Sequence, residues 1–403
     1  MNAFVEELHA RGLIYQNSPG IEAAFEAGST MYLGYDPTGP DLHIGHLLGI
    51  TFLKRALQYG QRVIVLVGGG TAMIGDPGGK DAERPILPRE VIEENKSKLK
   101  EQFSRFFEFD DDRVRMVDNA DWLEQVRLID FLREAGKYMS INSMLDKDSV
   151  SSRITREEGI SYAEFSYQLL QSYDFMELYK RYGCTVQVGG SDQWGNIIQG
   201  VELIRKRLGT QVYALSFPLI VNPKTGRKYG KTESGEGIWL NAEKTHPYAL
   251  YQFLLNAEDE IAPLLMKFYS FKPVTEIEEC IGRWSGAKHE RLLQKELAHE
   301  VTALVHGEGA ARQAAEVASL LFARRGAELT AENVEFIRTA LPHARLSAGE
   351  PFNPAQALVA TGLAASMGEA RRLVQQNGIT VEELHDAYLI RKGKKDYALV
   401  TRD

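Results

Sequence analysis

Two histidines three residues apart, His43 and His46, open a helical stretch in the segment Asp36-Pro-Thr-Gly-Pro-Asp-Leu-His-Ile-Gly-His-Leu. At that spacing they share a face of the first turn. Gly45 removes a side chain between them, so a ligand can come close to the backbone. The start of a helix also offers free N–H groups and the positive end of a dipole. Two imidazoles at such a place suit a phosphate chain. A zinc pair or a plain helix cap are the other readings, and zinc lacks a third ligand nearby.

Three more segments carry chemistry. Val67-Gly-Gly-Gly-Thr-Ala-Met-Ile-Gly-Asp-Pro-Gly-Gly-Lys is not a P-loop, because Asp76 stands where lysine is required. It is not the dinucleotide fingerprint, because Met73 stands where the third glycine belongs. It says only that backbone comes close to something. Lys80 and Arg84 beyond it are four apart, and read as phosphate ligands or as a solvated pair. Arg227-Lys-Tyr-Gly-Lys-Thr-Glu-Ser-Gly sets Lys228 and Lys231 among small residues. That suits a mobile phosphate clamp, or an exposed basic turn. Finally, Tyr167, Gln171 and Asp174 fall at i, i+4 and i+7, so one helix face carries a phenol, an amide and a carboxylate. Gly189-Gly-Ser-Asp-Gln-Trp-Gly-Asn follows a strand-like run ending at Val188. Asp192 and Gln193 thus sit where ligands of doubly wound sheets bind. A buried structural network is the alternative for each of these polar sets.

The elements that must position these residues alternate. Met31–Tyr35, Arg62–Val67, Arg113–Val117, Cys184–Val188 and Val212–Leu215 read as strands. His46–Tyr59, Glu90–Phe107, Leu128–Gly136, Tyr162–Tyr182 and Asp192–Leu208 read as helices. Such alternation predicts an α/β fold with a mostly parallel sheet covered on both faces. From Pro247 to Phe322 the pattern is all helical. Leu341–Pro354 has the composition of a linker. Short helices near Ala355–Gly362 and Ser366–Asn377 and strands at Ala387–Arg391 and Tyr397–Thr401 close the chain.

Composition bounds the answer. The 403 residues are 44% hydrophobic and 25% charged, which excludes disorder, collagen and coiled coil as global descriptions. No apolar run is long enough to span a membrane, and the acidic N-terminal stretch reads as an amphipathic helix rather than a leader. It should bury Phe4, Val5 and Leu8. Two cysteines, Cys184 and Cys280, fit a reducing cytoplasm and two small buried side chains. A net charge of −8 argues against a general nucleic-acid coat, and no DNA partner is expected. From His343 to Asp403, however, eight Lys and Arg meet seven Asp and Glu, with a cluster at Arg391–Lys395. A near-neutral tail on an acidic body permits one dedicated polyanion site.

Taken together these blocks resemble a known family. His43-Ile-Gly-His46 matches the HIGH signature of class I aminoacyl-tRNA synthetases, and Lys228-Tyr-Gly-Lys-Thr232 resembles their KMSKS signature, in the right order. Tyr32, Gly75-Asp-Pro77, Phe165–Asp174 and Gly189–Asn196 resemble the bacterial tyrosyl-tRNA synthetases, and the region from Pro351 resembles an S4-type RNA-binding domain. The resemblance covers nearly the whole chain. It implies a Rossmann-like catalytic domain over 1–225 with a helical, dimer-forming insertion at about 118–160, where Phe131, Tyr138, Met139, Ile141 and Met144 are the apolar candidates for a two-fold contact. A signature loop and connector (226–240), a helical tRNA-binding domain (241–330), a linker (331–350) and the S4-like domain (351–403) would follow.

It also implies roles. Tyr32 and Asp174 would hold a substrate phenol; Asp76, Tyr167 and Gln171 would surround its ammonium; Asp36 and Gln193 would line the same pocket. Gly190 and Asp192 would meet the ribose, with Gly45 also against ATP. Thr38, His43, His46, Lys80, Arg84, Lys228, Lys231 and Thr232 would act on the phosphates. The partners implied are L-tyrosine, ATP, tRNA(Tyr) and a second copy of the chain. Mg²⁺ would come with ATP, with no protein-held cofactor or metal site. Gly49, where relatives often carry a hydroxyl or small apolar residue, and Tyr229, where Phe is usual, are departures. A tryptophanyl enzyme or a catalytically silent RNA-binding relative are the competing readings. A tryptophanyl pocket has no use for Tyr32 beside Asp174.

Overall fold

A computed structural model describes residues 2–77, 86–110, 112–145, 147, 150–151, 154, 159–222, 226, 228–230, 237–322, 330–338, 340–347, 349, 351–384, 387–393 and 396–402. The chain forms two compact units, Met1–Asn241 with Glu258–Leu293, and Ala242–Ala257 with Gln294–Asp403.

The first unit is built on a six-stranded sheet. Its strands are β1 (Gln16–Asn17), β2 (Thr30–Tyr35), β3 (Arg62–Val67), β4 (Val114–Asp118), β5 (Cys184–Gly190) and β6 (Tyr213–Phe217). They lie in the order β1-β6-β5-β2-β3-β4. All neighbours are parallel except β1, which runs antiparallel to β6. Apolar runs such as that of β3 are buried on both faces, as parallel strands under crossover helices must be. The expected strands are found within two residues of their bounds; the short β1 was not expected. From β2 the chain winds outward to β3 and β4, then returns to place β5 on the other side of β2. The carboxyl ends of β2 and β5 therefore flank the switch point, where a doubly wound sheet leaves a crevice.

The helix Tyr162–Tyr182 crosses near this crevice. The Ser161 side chain caps its first turn, accepting from the Glu164 N–H, and Gly183 ends it in the left-handed conformation. Helix Ala262–Tyr269 belongs to the same unit. Arg11 Nη1 donates to the Lys267 and Ser270 carbonyls, both at 2.9 Å, and Arg55 Nη2 donates to Ser270 O at 2.8 Å. Two cations so placed satisfy the open carbonyls of a helix end and complement its dipole. Tyr269 Oη donates to Ile44 O at 3.0 Å, tying that helix to the start of helix Ile44–Gln58. The expected helical domain 241–330 is thus divided between the two units.

The insertion between β4 and β5 corrects the choice of surface residues. Of the expected contact set, Phe131 and Met144 are buried in the protomer's own core with Trp122 and Tyr173, and Tyr138 and Met139 pack against that core. Ile141 is exposed, as are Leu128, Ile129, Leu132, Leu145, Ile154 and Tyr162. Cys184 is buried, but Cys280 is only half-buried. Phe4, Val5 and Leu8 are buried as expected.

The second unit ends in a four-stranded sheet of β7 (His343–Leu346), β8 (Ile379–Glu383), β9 (Ala387–Lys392) and β10 (Asp396–Arg402), ordered β7-β10-β9-β8. Helices Pro354–Ala360 and Met367–Gln375 cover it through Leu358, Ala370, Ile390 and Val400. Among the described residues, the stretch read as a linker forms part of the second unit. It contains helix Ala331–Arg338 and β7, which pairs in parallel with Leu399–Arg402. Tyr397 Oη donates to Leu321 O at 2.8 Å. The tail is therefore joined to helix Glu308–Phe322 rather than hung from a flexible connector.

Candidate active site

The crevice at the switch point holds a cavity of about 420 Å³. Of the residues singled out from sequence, Tyr32, Asp36, Thr38, His43, Gly45, His46, Asp76, Tyr167, Gln171, Asp174, Gly190, Asp192, Gln193 and Lys228 line it. They come from the end of β2 and the loop after it, the first turn of helix Ile44–Gln58, the loop after β3, one face of helix Tyr162–Tyr182, the end of β5 and the turn after it and, for Lys228, the segment after β6. Lys80, Arg84, Lys231 and Thr232 lie outside the described residues, as do Lys394 and Lys395 of the basic tail cluster.

One end of the cavity is a fixed polar network. The buried Asp174 carboxylate accepts from Trp122 Nε1 at 2.7 Å and from Asn119 Nδ2 at 2.9 Å. Burial pushes its carboxyl up to about 7, although those two donors pull the other way. Among the described residues Tyr32 Oη is buried with no partner, and burial next to Asp174 raises its phenol far above the ordinary range. Gln187 Oε1 is a further buried, unpartnered acceptor on a lining residue. Above this, Asp36 accepts from Thr71 Oγ1 at 2.7 Å and from Tyr167 Oη at 2.8 Å. Asn119 Nδ2 also reaches Thr71 Oγ1 at 2.9 Å, so one amide braces both carboxylates.

The glycine run after β3 has its explanation here. A Cβ on Gly68 would overlap Asp36 Oδ1, and one on Gly69 would overlap Asp118 Oδ1. Gly70 N–H donates to Asn119 Oδ1 at 2.7 Å. What the backbone approaches here is the protein's own carboxylates and amide.

The two histidines cap the helix and each other. His43 Nδ1 accepts from Gly45 N–H at 3.1 Å, and His46 Nδ1 accepts from His43 N–H at 3.2 Å. Their rings stack at 3.7 Å. Ile44 N–H donates to Ile238 O and His46 N–H to His43 O. The N–H groups expected to be free are thus used, which corrects the backbone anion site read from sequence. A Cβ on Gly45 would come within 2.9 Å of the His43 ring, so the room there serves the cap. Burial lowers both imidazoles, His46 well below its usual value with His43 adding to the effect. They are neutral at pH 7. With Nδ1 accepting, each carries its proton on Nε2 and can donate it.

At the other side, Gln193 Nε2 donates to Asp76 Oδ2 at 2.7 Å, and Asn196 Nδ2 donates to Gln171 Oε1 at 3.0 Å. Lys147 Nζ meets Asn196 Oδ1 at 3.3 Å, and burial brings its ammonium down to about 7. Lys228 Nζ pairs with Asp192 Oδ2 at 2.8 Å in the open. Asn119, Thr71, Trp122, Gln187, Asn196 and Lys147 were not singled out from sequence. Asn119 had a signal: it directly follows β4, at the same carboxyl edge that drew attention to Asp192. Trp122 had none.

Comparison with known proteins adds a family. The model of the tRNA synthetases class I (W and Y) matches residues 26–323. A tyrosine–tRNA ligase of Roseiflexus castenholzii is 40% identical over 423 residues, covering 99% of each chain. One of Streptococcus pyogenes serotype M3 is 42% identical over 422 residues and covers all of both. Among solved structures, the C-terminally truncated mitochondrial tyrosyl-tRNA synthetase of Aspergillus nidulans superposes with a TM-score of 0.71 at 29% identity. It covers 80% of this chain and 95% of that one.

Proposed function

The chain belongs to the class I tRNA synthetases of tryptophan and tyrosine, and from that premise we propose that its cavity aligns tyrosine and ATP for reaction. The activity is tyrosine–tRNA ligation. A tyrosine carboxylate oxygen bonds to the α-phosphorus of ATP while the bond to the β-phosphate breaks and pyrophosphate leaves. A terminal ribose hydroxyl of the tRNA then attacks the acyl carbon, and AMP departs. The nucleophile belongs to the substrate, so the protein's work is alignment and charge stabilisation.

One observation carries the assignment of the deep end. Asp174 is a buried acceptor held by two donors, beside the unpartnered Tyr32 hydroxyl. A substrate phenol can donate to the first and accept from the second. An indole has no oxygen for Tyr32, which disfavours tryptophan. In this reading Asp76, Tyr167, Gln171, Asp36 and Gln193 surround the tyrosine ammonium and line its pocket. Gly190 and Asp192 meet the ribose. His43 and His46 donate from Nε2 to the phosphates, helped by Thr38, Lys80, Arg84, Lys228, Lys231 and Thr232. Mg²⁺ comes with ATP and its water, since the lining carboxylates of Asp36, Asp76, Asp174 and Asp192 already accept from protein donors.

Two further parts of the reading concern partners. The exposed apolar side chains from Leu128 to Tyr162 support a two-fold contact between copies of the chain. Exposed Arg371 and Arg372 on helix Met367–Gln375 support an S4-like tail that holds tRNA by its backbone phosphates. No helix among the described residues is long and apolar enough to cross a membrane, and a cytoplasmic location fits a chain with only two cysteines. ATP–pyrophosphate exchange with each standard amino acid tests the activity. Tyrosine alone should support it; equal exchange with tryptophan would overturn the pocket assignment.

A further inference from the structure

Gly49 lies inside helix Ile44–Gln58, where glycine is a poor helix former. A Cβ there would come within 2.6 Å of Tyr35 Oη and would also run into Leu33. Tyr35 ends β2. Its ring meets His46 edge-on at 5.7 Å and Phe103 at 4.8 Å, so it has little freedom to turn away. Its hydroxyl is buried and has no partner among the described residues, yet Tyr35, Gly49 and His46 all line the cavity. Buried polar groups without partners are rare in folded proteins. A phenylalanine would keep the ring contacts without that cost. The fold therefore gives up helix propensity at Gly49 and solvation at Tyr35 to hold a hydroxyl it does not itself use. Tyr32 Oη and Gln187 Oε1, also on cavity-lining residues, are orphaned in the same way.

This rests on the reading above that the His43–His46 end of the cavity takes ATP. We propose that Tyr35 is a nucleotide-binding residue whose Oη donates a hydrogen bond to a ribose or phosphate oxygen, and that Gly49 is glycine to leave that hydroxyl room.

Tyr35→Phe in the full chain tests it, with the ATP Kd measured by titration calorimetry and the tyrosine Kd measured alongside. The expected result is an ATP Kd raised about three- to tenfold, the worth of one hydrogen bond, with tyrosine binding and thermal stability kept. Adenosine locates the contact. Weakened binding of adenosine as well as ATP puts it on the ribose, and weakened binding of ATP alone puts it on the phosphates; both support the proposal. A folded Tyr35→Phe protein with unchanged ATP Kd overturns it. Because binding is read without turnover, that failure is distinct from a failure of tyrosine-dependent exchange, which would strike the functional reading instead.

Discussion

Tyrosine binding should strengthen as pH rises through neutrality, and Asp174 is the cause. In the free protein burial holds this carboxyl at about 7, with the like charges of Asp36 and Asp118 adding to the rise. A tyrosine hydroxyl donating to it adds a third hydrogen bond to the charged form, so the bound-state value falls well below 7. The sign follows. The free protein holds a proton that the complex releases, so affinity rises with pH and levels off above about 7. The affinity relative to its plateau falls by 1 + 10^(7 − pH), about 1.1-fold at pH 8 and about 11-fold at pH 6, giving roughly a tenfold change across that window. The same shift acts on folding in the opposite sense. A carboxyl raised from 3.8 contributes fully below that value, and the contribution is lost as pH rises through about 7. Tyrosine Kd from pH 6 to 8, with calorimetry in buffers of different ionisation enthalpy, measures the affinity and the released proton together. Lys147 also titrates near 7, so Asp174→Asn is the deciding arm: it should bind more weakly and lose most of the pH dependence. His43 and His46 lie below their usual values and contribute less in this window. A pH-independent wild type, or an Asp174→Asn variant with the full tenfold dependence, would refute the reasoning.

Other outcomes follow from the same geometry. Tyr32→Phe removes an orphaned hydroxyl, so it should leave stability unchanged or slightly higher while lowering the preference for tyrosine over phenylalanine by about tenfold in exchange assays. His46→Ala should slow adenylate formation by about 10²-fold in single-turnover experiments with tyrosine affinity nearly unchanged, because its donor faces charge that shifts in the transition state. Arg11→Met leaves buried carbonyls at Lys267 and Ser270 without that donor, and should cost about 2–4 kcal/mol in denaturant unfolding. A chain ending near Pro342 keeps every cavity residue and should still form tyrosyl-adenylate. It removes the tail and the Tyr397 bond to Leu321, so tRNA charging should fall, and the helices left in the second unit should melt at lower temperature.

The parts legible in the sequence are those whose signal is local. β3 is a continuous apolar run, β2 is short and mostly apolar, and helix Tyr162–Tyr182 announces itself by its periodicity. β7 was missed because His-Ala-Arg-Leu has no strand pattern of its own; it is a strand only because β10 offers it an edge. The glycine run at 68–70 said that something comes close, but Asp118 and Asn119, which do, lie far along the chain. The N–H groups at the start of helix Ile44–Gln58 looked free because Ile238, their distant partner in part, gives no sign of it locally. In the insertion, apolar residues could be recognised, but which of them face the core depends on how Phe131 and Met144 meet Tyr173 and Trp122.

The two ends of the cavity are built differently, and the proposed placement of the tyrosine phenol at the deep end and the ATP phosphates at the outer end gives a reason. The deep end must reject amino acids that differ by one oxygen, which requires groups that cannot relax when the oxygen is missing. Asp174 is fixed from two sides, and the amide that fixes it is itself held by the Gly70 N–H. The outer end must bind charge more strongly as it moves onto the leaving pyrophosphate than before, because uniform binding of ATP gives no acceleration. In the proposed role neutral imidazoles would serve that need: they would donate hydrogen bonds that strengthen with growing charge but hold the ground state without a full opposing charge. In the same proposal Lys228 would serve it in another way. Its exposed pair with Asp192 is worth little in water, so exchanging that carboxylate for phosphate oxygens costs little. The cation is therefore available late rather than committed early.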